Sequence, residues 1–196
     1  MEKTASAPAR RSLAFVGINA GLALHPADAA GVQVPGEPAS CFAAFWQADW
    51  SRWGTGSVLL VATLQGWRSY GSNAALAEAL AAELTRYFPE AARFPLTGIG
   101  HTHDEFTVLV DPASGFHASG RKAELAISGV LDRRQFTAPD FQLGENSAAL
   151  SNVYLPCRTG QLTEFGVQWP GAPAVYAGPL GPSSSAFIAL AESWVL

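Results

Sequence analysis

The run His101-Thr102-His103-Asp104-Glu105, followed by His117, gathers this chain's metal-type and acid–base groups in one short stretch. The fourth histidine, His25, stands far away in sequence. On a strand, side chains alternate between faces, so His101, His103 and Glu105 share one side while Asp104 and Phe106 take the other. Same-face neighbours sit roughly 6–7 Å apart, twice the rise per residue. Two imidazoles at that spacing can converge on one ion. A carboxylate from the same face then completes a two-His, one-carboxylate set suited to Fe(II), or a His2Glu set suited to catalytic Zn. The expected metal ligands are therefore His101, His103 and Glu105, the ion serving as a Lewis acid or an O2-binding centre. The expected catalytic set is His103, Glu105 and His117, in which, without a metal, a histidine serves as general base and Glu105 orients it. The competing reading is a His-x-His face that is simply solvated.

A second place for chemistry is the segment Gln65–Asn73, between an apolar run and a helix start. Backbone N–H groups there, with Arg68, Ser69, Ser72 and Asn73, form an expected ligand-binding set for a phosphate or carboxylate. It lacks both the Gly-x-x-x-x-Gly-Lys and the Gly-x-Gly-x-x-Gly spacings. Cys41, at an expected helix N-terminus, would have an activated thiol, against the alternative of a small buried apolar residue. Ser183–Ser185 reads as helix capping, and no Gly-x-Ser-x-Gly elbow is present.

The elements that must position these groups are read from periodicity and punctuation. Leu13–Leu24 reads as a buried strand. Ser40 then caps an expected helix carrying Phe42, Phe45, Trp46, Trp50 and Trp53, with Trp46, Trp50 and Trp53 at i, i+4 and i+7 on one face. Val58–Leu64 is an apolar run of strand length, and 65–72 is a loop. Asn73 caps a helix to about Phe88, striped with Leu76, Leu80, Leu84 and Tyr87 and stopped by Pro89. This β-loop-α unit is the clearest one in the chain. Gly100–Val110 and Ala123–Leu131 form an expected hairpin around a turn at 111–120. Asn152–Cys157 and Gln161–Trp169 form another strand pair. A C-terminal helix starts at Pro182–Ser185 and buries Phe187, Leu190, Ala191 and Trp194. The expected class is α+β, mainly an antiparallel sheet with one β-loop-α unit and about three helices.

Composition narrows the function classes. The chain has 196 residues, 48% hydrophobic and only 14% charged, which argues for an ordered globular protein over a disordered one. A formal charge of −4 carries no basic footprint, so nucleic acid is not an expected partner. Two cysteines cannot form a disulfide framework. No apolar run reaches the length of a membrane span. The basic stretch Met1–Arg11, the apolar run Leu13–Leu24 and Ala27-Asp28-Ala29 imitate an export signal, although Gly17, Asn19 and Gly21 weaken its apolar part. The expected organisation is a flexible leader over 1–12 and a single α+β domain over 13–196, located in the cytoplasm. The alternative is export with cleavage near residue 29.

The functional expectation is a small enzyme acting on an organic small molecule or peptide at the histidine face, with Fe(II) or Zn as cofactor in the metal-dependent form. The competing class is a non-catalytic ligand- or protein-binding domain that uses a Trp-rich helix and the 65–73 loop.

Overall fold

The computed structural model describes residues 11–196. The expected leader over 1–12 lies almost entirely outside them. Four antiparallel strands come first: β1 (Leu13–Leu24), β2 (Cys41–Ser51), β3 (Gly56–Thr63) and β4 (Gly66–Gly71). Helix α1 (Ala74–Glu83) and a 3-10 turn at Thr85–Tyr87 follow, and β5 (Ile99–His103) returns parallel to β4. Then come β6 (Thr107–Asp111), β7 (Gly115–Ser119), β8 (Ala123–Val130), β9 (Arg134–Leu143) and β10 (Asn146–Glu164). Short β11 (Val167–Gln168) pairs with β10, β12 (Val175–Gly178) and β13 (Gly181–Ser184) form a separate hairpin, and β14 (Ala186–Val195) closes the order. The main sheet runs β5-β4-β3-β2-β1-β14-β10-β8-β7-β6.

The expected α+β class with about three helices is therefore corrected: the protein is mostly β, and α1 is the one α-helix among the described residues. Both lost helices fail for the same reason. Strand β2 is buried on both faces. Phe42, Ala44, Trp46 and Ala48 enter one core, while Cys41, Ala43 and Phe45 enter the other. A strand covered on both sides is apolar almost throughout, so it lacks the alternation that marks a half-buried one. Strand β14 repeats this, with Phe187 and Trp194 in the first core and Ala186 and Ile188 in the second. The Trp-rich helix expected as a contact surface does not exist: Trp46 is fully buried and donates to Thr85 Oγ1 at 3.0 Å, while Trp50 is exposed beside a bulge that leaves Asp49 unpaired.

Other expectations hold or shift locally. Leu13–Leu24, the apolar part of the export reading, is strand β1, hydrogen-bonded to β2 and β14. No helix among the described residues is long and apolar enough to cross a membrane. The cap at Asn73 is present: its side chain accepts from Leu76 N at 3.1 Å, and Leu76, Leu80 and Leu84 are buried. The expected loop over 65–72 is largely β4. The expected strand pair from Asn152 to Trp169 is instead mostly one 19-residue strand, β10. Pro156 falls where the partner of β10 changes from β9 to β8, so its missing N–H costs little.

The ends of the sheet path, β5 and β6, are joined by residues 104–106 alone, which curls the sheet around the second core. Asp104 fastens this junction. Its buried carboxylate accepts from the backbone N–H groups of Arg121, Lys122 and Ala123 at 2.9–3.1 Å, and from Glu105 N at 3.1 Å. Gly120 makes the approach feasible, because a Cβ there would collide with the carboxylate. Burial alone would raise the Asp104 pKa, but these donors outweigh it and hold it below the ordinary value of 3.8. Its stabilisation is thus fully present above the usual carboxylate range and is lost as pH falls through the depressed folded value. We expect Asp104→Ala to lower the unfolding free energy by roughly 2–4 kcal/mol, since buried N–H donors lose a charged acceptor. Chemical denaturation of the two proteins near neutral pH checks this, and a difference that does not shrink in acid would count against the assignment.

Candidate functional site

The residues expected to do chemistry are not drawn together. His101 and His103 do share a face of β5, and both are exposed. His101 Nδ1 lies 2.9 Å from Ser69 Oγ, but Ser69 is fully buried. The strand ends at His103, so the alternation that would bring Glu105 alongside stops with it; Glu105 is exposed beyond the strand. His117 lies on β7, near the other end of the sheet path, with Nε2 2.7 Å from Glu124 Oε1. Among the described residues no three His, Cys, Asp or Glu side chains are grouped to hold a metal ion. The expected metal-site grouping is corrected on that ground: β5 ends at His103, and the irregular link 104–106 interrupts what reads as one strand.

In the 65–73 segment Arg68, Ser69, Tyr70 and Asn73 have partners inside the protein. Arg68 forms a two-pronged bond to Glu164, at 3.0 and 2.9 Å. Glu164 also accepts from Tyr70 Oη at 2.5 Å and Trp169 Nε1 at 2.6 Å. Burial would raise the Glu164 pKa, yet these bonds hold it below its ordinary value. Asn73 is occupied in capping α1, and Ser72 is exposed. Cys41 and Cys157 are both buried and free, and burial pushes each thiol up to about 12, which is the signature of an inert core cysteine.

A different place has the properties of a site. A cavity of about 290 Å³ opens on the first-core side of the sheet. Its walls are aromatic. Phe88 stacks on Trp194 with centroids 6.3 Å apart, Tyr154 stacks on Phe187 at 5.6 Å, and Phe141 meets Trp194 edge-on at 5.4 Å. Glu90, Arg134 and the β12–β13 turn at Pro179–Leu180 also line it. Arg134 holds that turn in place by donating to Leu180 O at 2.6 Å and Pro182 O at 2.7 Å.

Three buried polar residues break the apolar lining: Asn19, Asn152 and Glu192. Glu192 Oε1 accepts from Trp194 Nε1 at 2.5 Å, and Oε2 accepts from Asn152 Nδ2 at 3.2 Å. Asn19 Nδ2 donates to Phe45 O at 3.2 Å. The side-chain oxygens of Asn19 and Asn152 have no partner, and they are the unsatisfied buried side-chain polar atoms among the described residues. Burial raises the Glu192 pKa to about 7, although the bonds from Trp194 and Asn152 pull it partly back. A cavity with few convergent polar groups and a perturbed acid is the usual form of a small-molecule site.

Local backbone geometry creates this arrangement. Between the pairs Gly17↔Glu192 and Asn19↔Ala189 the register slips, so β14 carries one extra residue there. The bulge holds Ala191 at φ 48°, in the left-handed region. Beyond it the face alternation reverses, so Glu192 and Trp194 lie on the same side as Phe187. On β1, Gly21 gives the ring of Phe187 its room, because a Cβ there would strike it.

Sequence reasoning passed over these residues because they are scattered, at positions 19, 152 and 192. The available signal was a buried-type strand interrupted by a polar residue: Asn19 alone in β1, Asn152 beside Ser151 in β10 and Glu192 beside Ser193 in β14. The sequence matches no protein-family model, and no match was found among curated proteins or among solved structures.

Two outcomes follow for stability. The folded protein holds the Glu192 proton more tightly than the unfolded chain does, so stability falls as pH rises from about 4.5 to about 7. The rise in pKa costs roughly 3 kcal/mol above that range. Glu192→Gln removes this cost, so the stability gap between variant and wild type should widen by about that amount from roughly pH 5 to pH 8. A gap independent of pH would show that the carboxyl is not so perturbed. At the bulge, Ala191→Gly should keep or slightly raise the melting temperature, whereas Ala191→Val should cost roughly 1–2 kcal/mol, because β-branching is poorly tolerated at positive φ.

Proposed function

We propose that this protein binds a small organic molecule in the cavity over Glu192. The observation that carries the reading is the pair of unsatisfied carbonyl oxygens, Asn19 Oδ1 and Asn152 Oδ1, beside a buried carboxyl in an aromatic cavity. Each unsatisfied buried acceptor costs about 1–3 kcal/mol. A fold that needed only a packed core would do better with apolar side chains at these positions. A ligand that donates hydrogen bonds recovers the deficit. The volume supports a compact occupant, since a cavity of roughly half that size accommodates benzene.

Glu192 also supports a catalytic version of the same reading. A carboxyl with a pKa near 7 holds and releases its proton readily at neutral pH, which suits general acid–base work on a bound molecule. Binding is the primary claim, and the expected substrate class is the organic small molecule rather than a peptide, because a cavity of about 290 Å³ suits a compact molecule.

The test is a fragment screen by ligand-observed NMR against wild-type protein and Leu150→Trp, in which an indole fills the cavity. A thermal melt confirms that the variant is folded. Fragments with an apolar body and a hydrogen-bonding head should bind the wild type and lose binding in the variant. If no fragment binds, or if the hits bind Leu150→Trp equally well, the cavity is not a ligand site.

A further inference from the structure

The inventory of donors and acceptors in the cavity is lopsided, and this points to the chemistry of the occupant. We infer that the ligand is a primary ammonium compound with a short apolar or aromatic body. This inference rests on the cavity being a ligand site.

The unused hydrogen-bonding capacity of the buried polar residues that line the cavity consists of acceptors. Trp194 Nε1 and Asn152 Nδ2 both donate to Glu192 already, and Asn19 Nδ2 donates to Phe45 O. That last bond settles the orientation of the Asn19 amide, because a backbone carbonyl can only accept. The carboxylate of Glu192 settles the Asn152 amide in the same way whenever it is ionised. What remains is Asn19 Oδ1, Asn152 Oδ1 and the Glu192 carboxylate. A primary ammonium has three N–H donors and no acceptor. Its donors match the acceptor character of these groups, among which a ligand acceptor would find no partner.

Charge points the same way. No Lys, Arg or His side chain among the described residues pairs with Glu192. The lining holds two carboxylates, Glu90 and Glu192, against one cation, Arg134. That cation is committed elsewhere: it pairs with Asp132 at 3.5 Å and donates to Leu180 O and Pro182 O. The ionised form of Glu192 is thus a buried charge with no counterion from the protein. A ligand cation would supply one, and its charge would oppose the desolvation that now raises the Glu192 pKa.

The walls suit the ligand's body: Phe88, Phe136, Phe141 and Phe187 line the cavity and pack against an apolar or aromatic group. Other ligand classes fit worse. A carboxylate would face two amide acceptors and a like charge. A hydrocarbon would leave both amide oxygens unsatisfied. A quaternary ammonium would bring charge but no N–H for them. The hydroxyls of Tyr154 and Ser183 can donate or accept, so they do not alter this ranking.

The test compares three probes of nearly equal shape by isothermal titration calorimetry above pH 7: phenethylamine, phenethyl alcohol and hydrocinnamate. The amine should bind about tenfold or more tightly than the alcohol, the difference a charge-assisted hydrogen bond confers, and the carboxylate should not bind. In Glu192→Gln the preference for the amine should vanish while the alcohol still binds, which shows that the cavity survives the substitution. An alcohol that binds as well as the amine overturns the ammonium inference and leaves the cavity reading standing. So does a preference that persists in Glu192→Gln. If none of the three binds while unrelated fragments do, the inference again fails alone; if the fragments fail too, both readings fall together.

Discussion

Burial of the central strands on both faces is the constraint from which the rest of the structure follows. Strands β1, β2, β3 and β14 divide two cores, and each must supply apolar side chains in both directions. The second core is enclosed because the sheet curls back on itself through the short 104–106 link. The first core is closed by other means: α1, the Phe88–Phe94 segment, β9 and the β12–β13 hairpin. A cover assembled from several separate pieces packs less completely than a sheet folded onto its own face. The cavity lies on that patchwork side, which gives a physical reason for its location.

Against such an apolar background, Asn19, Asn152 and Glu192 are costly, and their placement depends on a detail of the backbone. One extra residue in β14 reverses the direction of Glu192 and Trp194 relative to the strand before the bulge. A strand in regular register would send them toward the second core, where Cys41, Leu155 and Ile188 lie. The bulge therefore does for this cavity what a loop does in many binding sites: it aims a polar group from a rigid frame. Glu164 shows the contrasting outcome for a buried acid. It is matched by Arg68, Tyr70 and Trp169 on every side and has nothing left to offer a ligand.

How much of this could be read from the amino-acid order varies by element. Strand β1 and helix α1 were legible because Leu13–Leu24 is a long, predominantly apolar run and Asn73 announces the helix with its own cap. Strands β2 and β14 were not, because burial on both faces erases the alternation that separates strand from helix. The His101–Glu105 run was misleading for a narrower reason. Its alternation is real as far as His103, but the strand ends there, and the neighbouring Asp104 carboxylate is taken up by four backbone N–H groups. The cavity residues could not be assembled from sequence, since their proximity depends on pairing β1 with β14 and β14 with β10. Each was visible singly as a polar residue within a buried-type strand.

The pairing of β1 with β14 also shapes how the chain reaches its fold. Leu13 lies opposite Val195, so the first described strand is completed by the last. During synthesis β1 and β2 can pair early, as can β9 and β10, but the place between β1 and β10 stays empty until β14 emerges. Until then two long apolar strands expose unpaired edges, the condition that invites association with other chains. Contacts between positions so far apart also close the largest loop available, which slows folding. The strand that carries Glu192 is therefore also the keystone: the cavity over Glu192 and the continuous sheet come into existence in the same step.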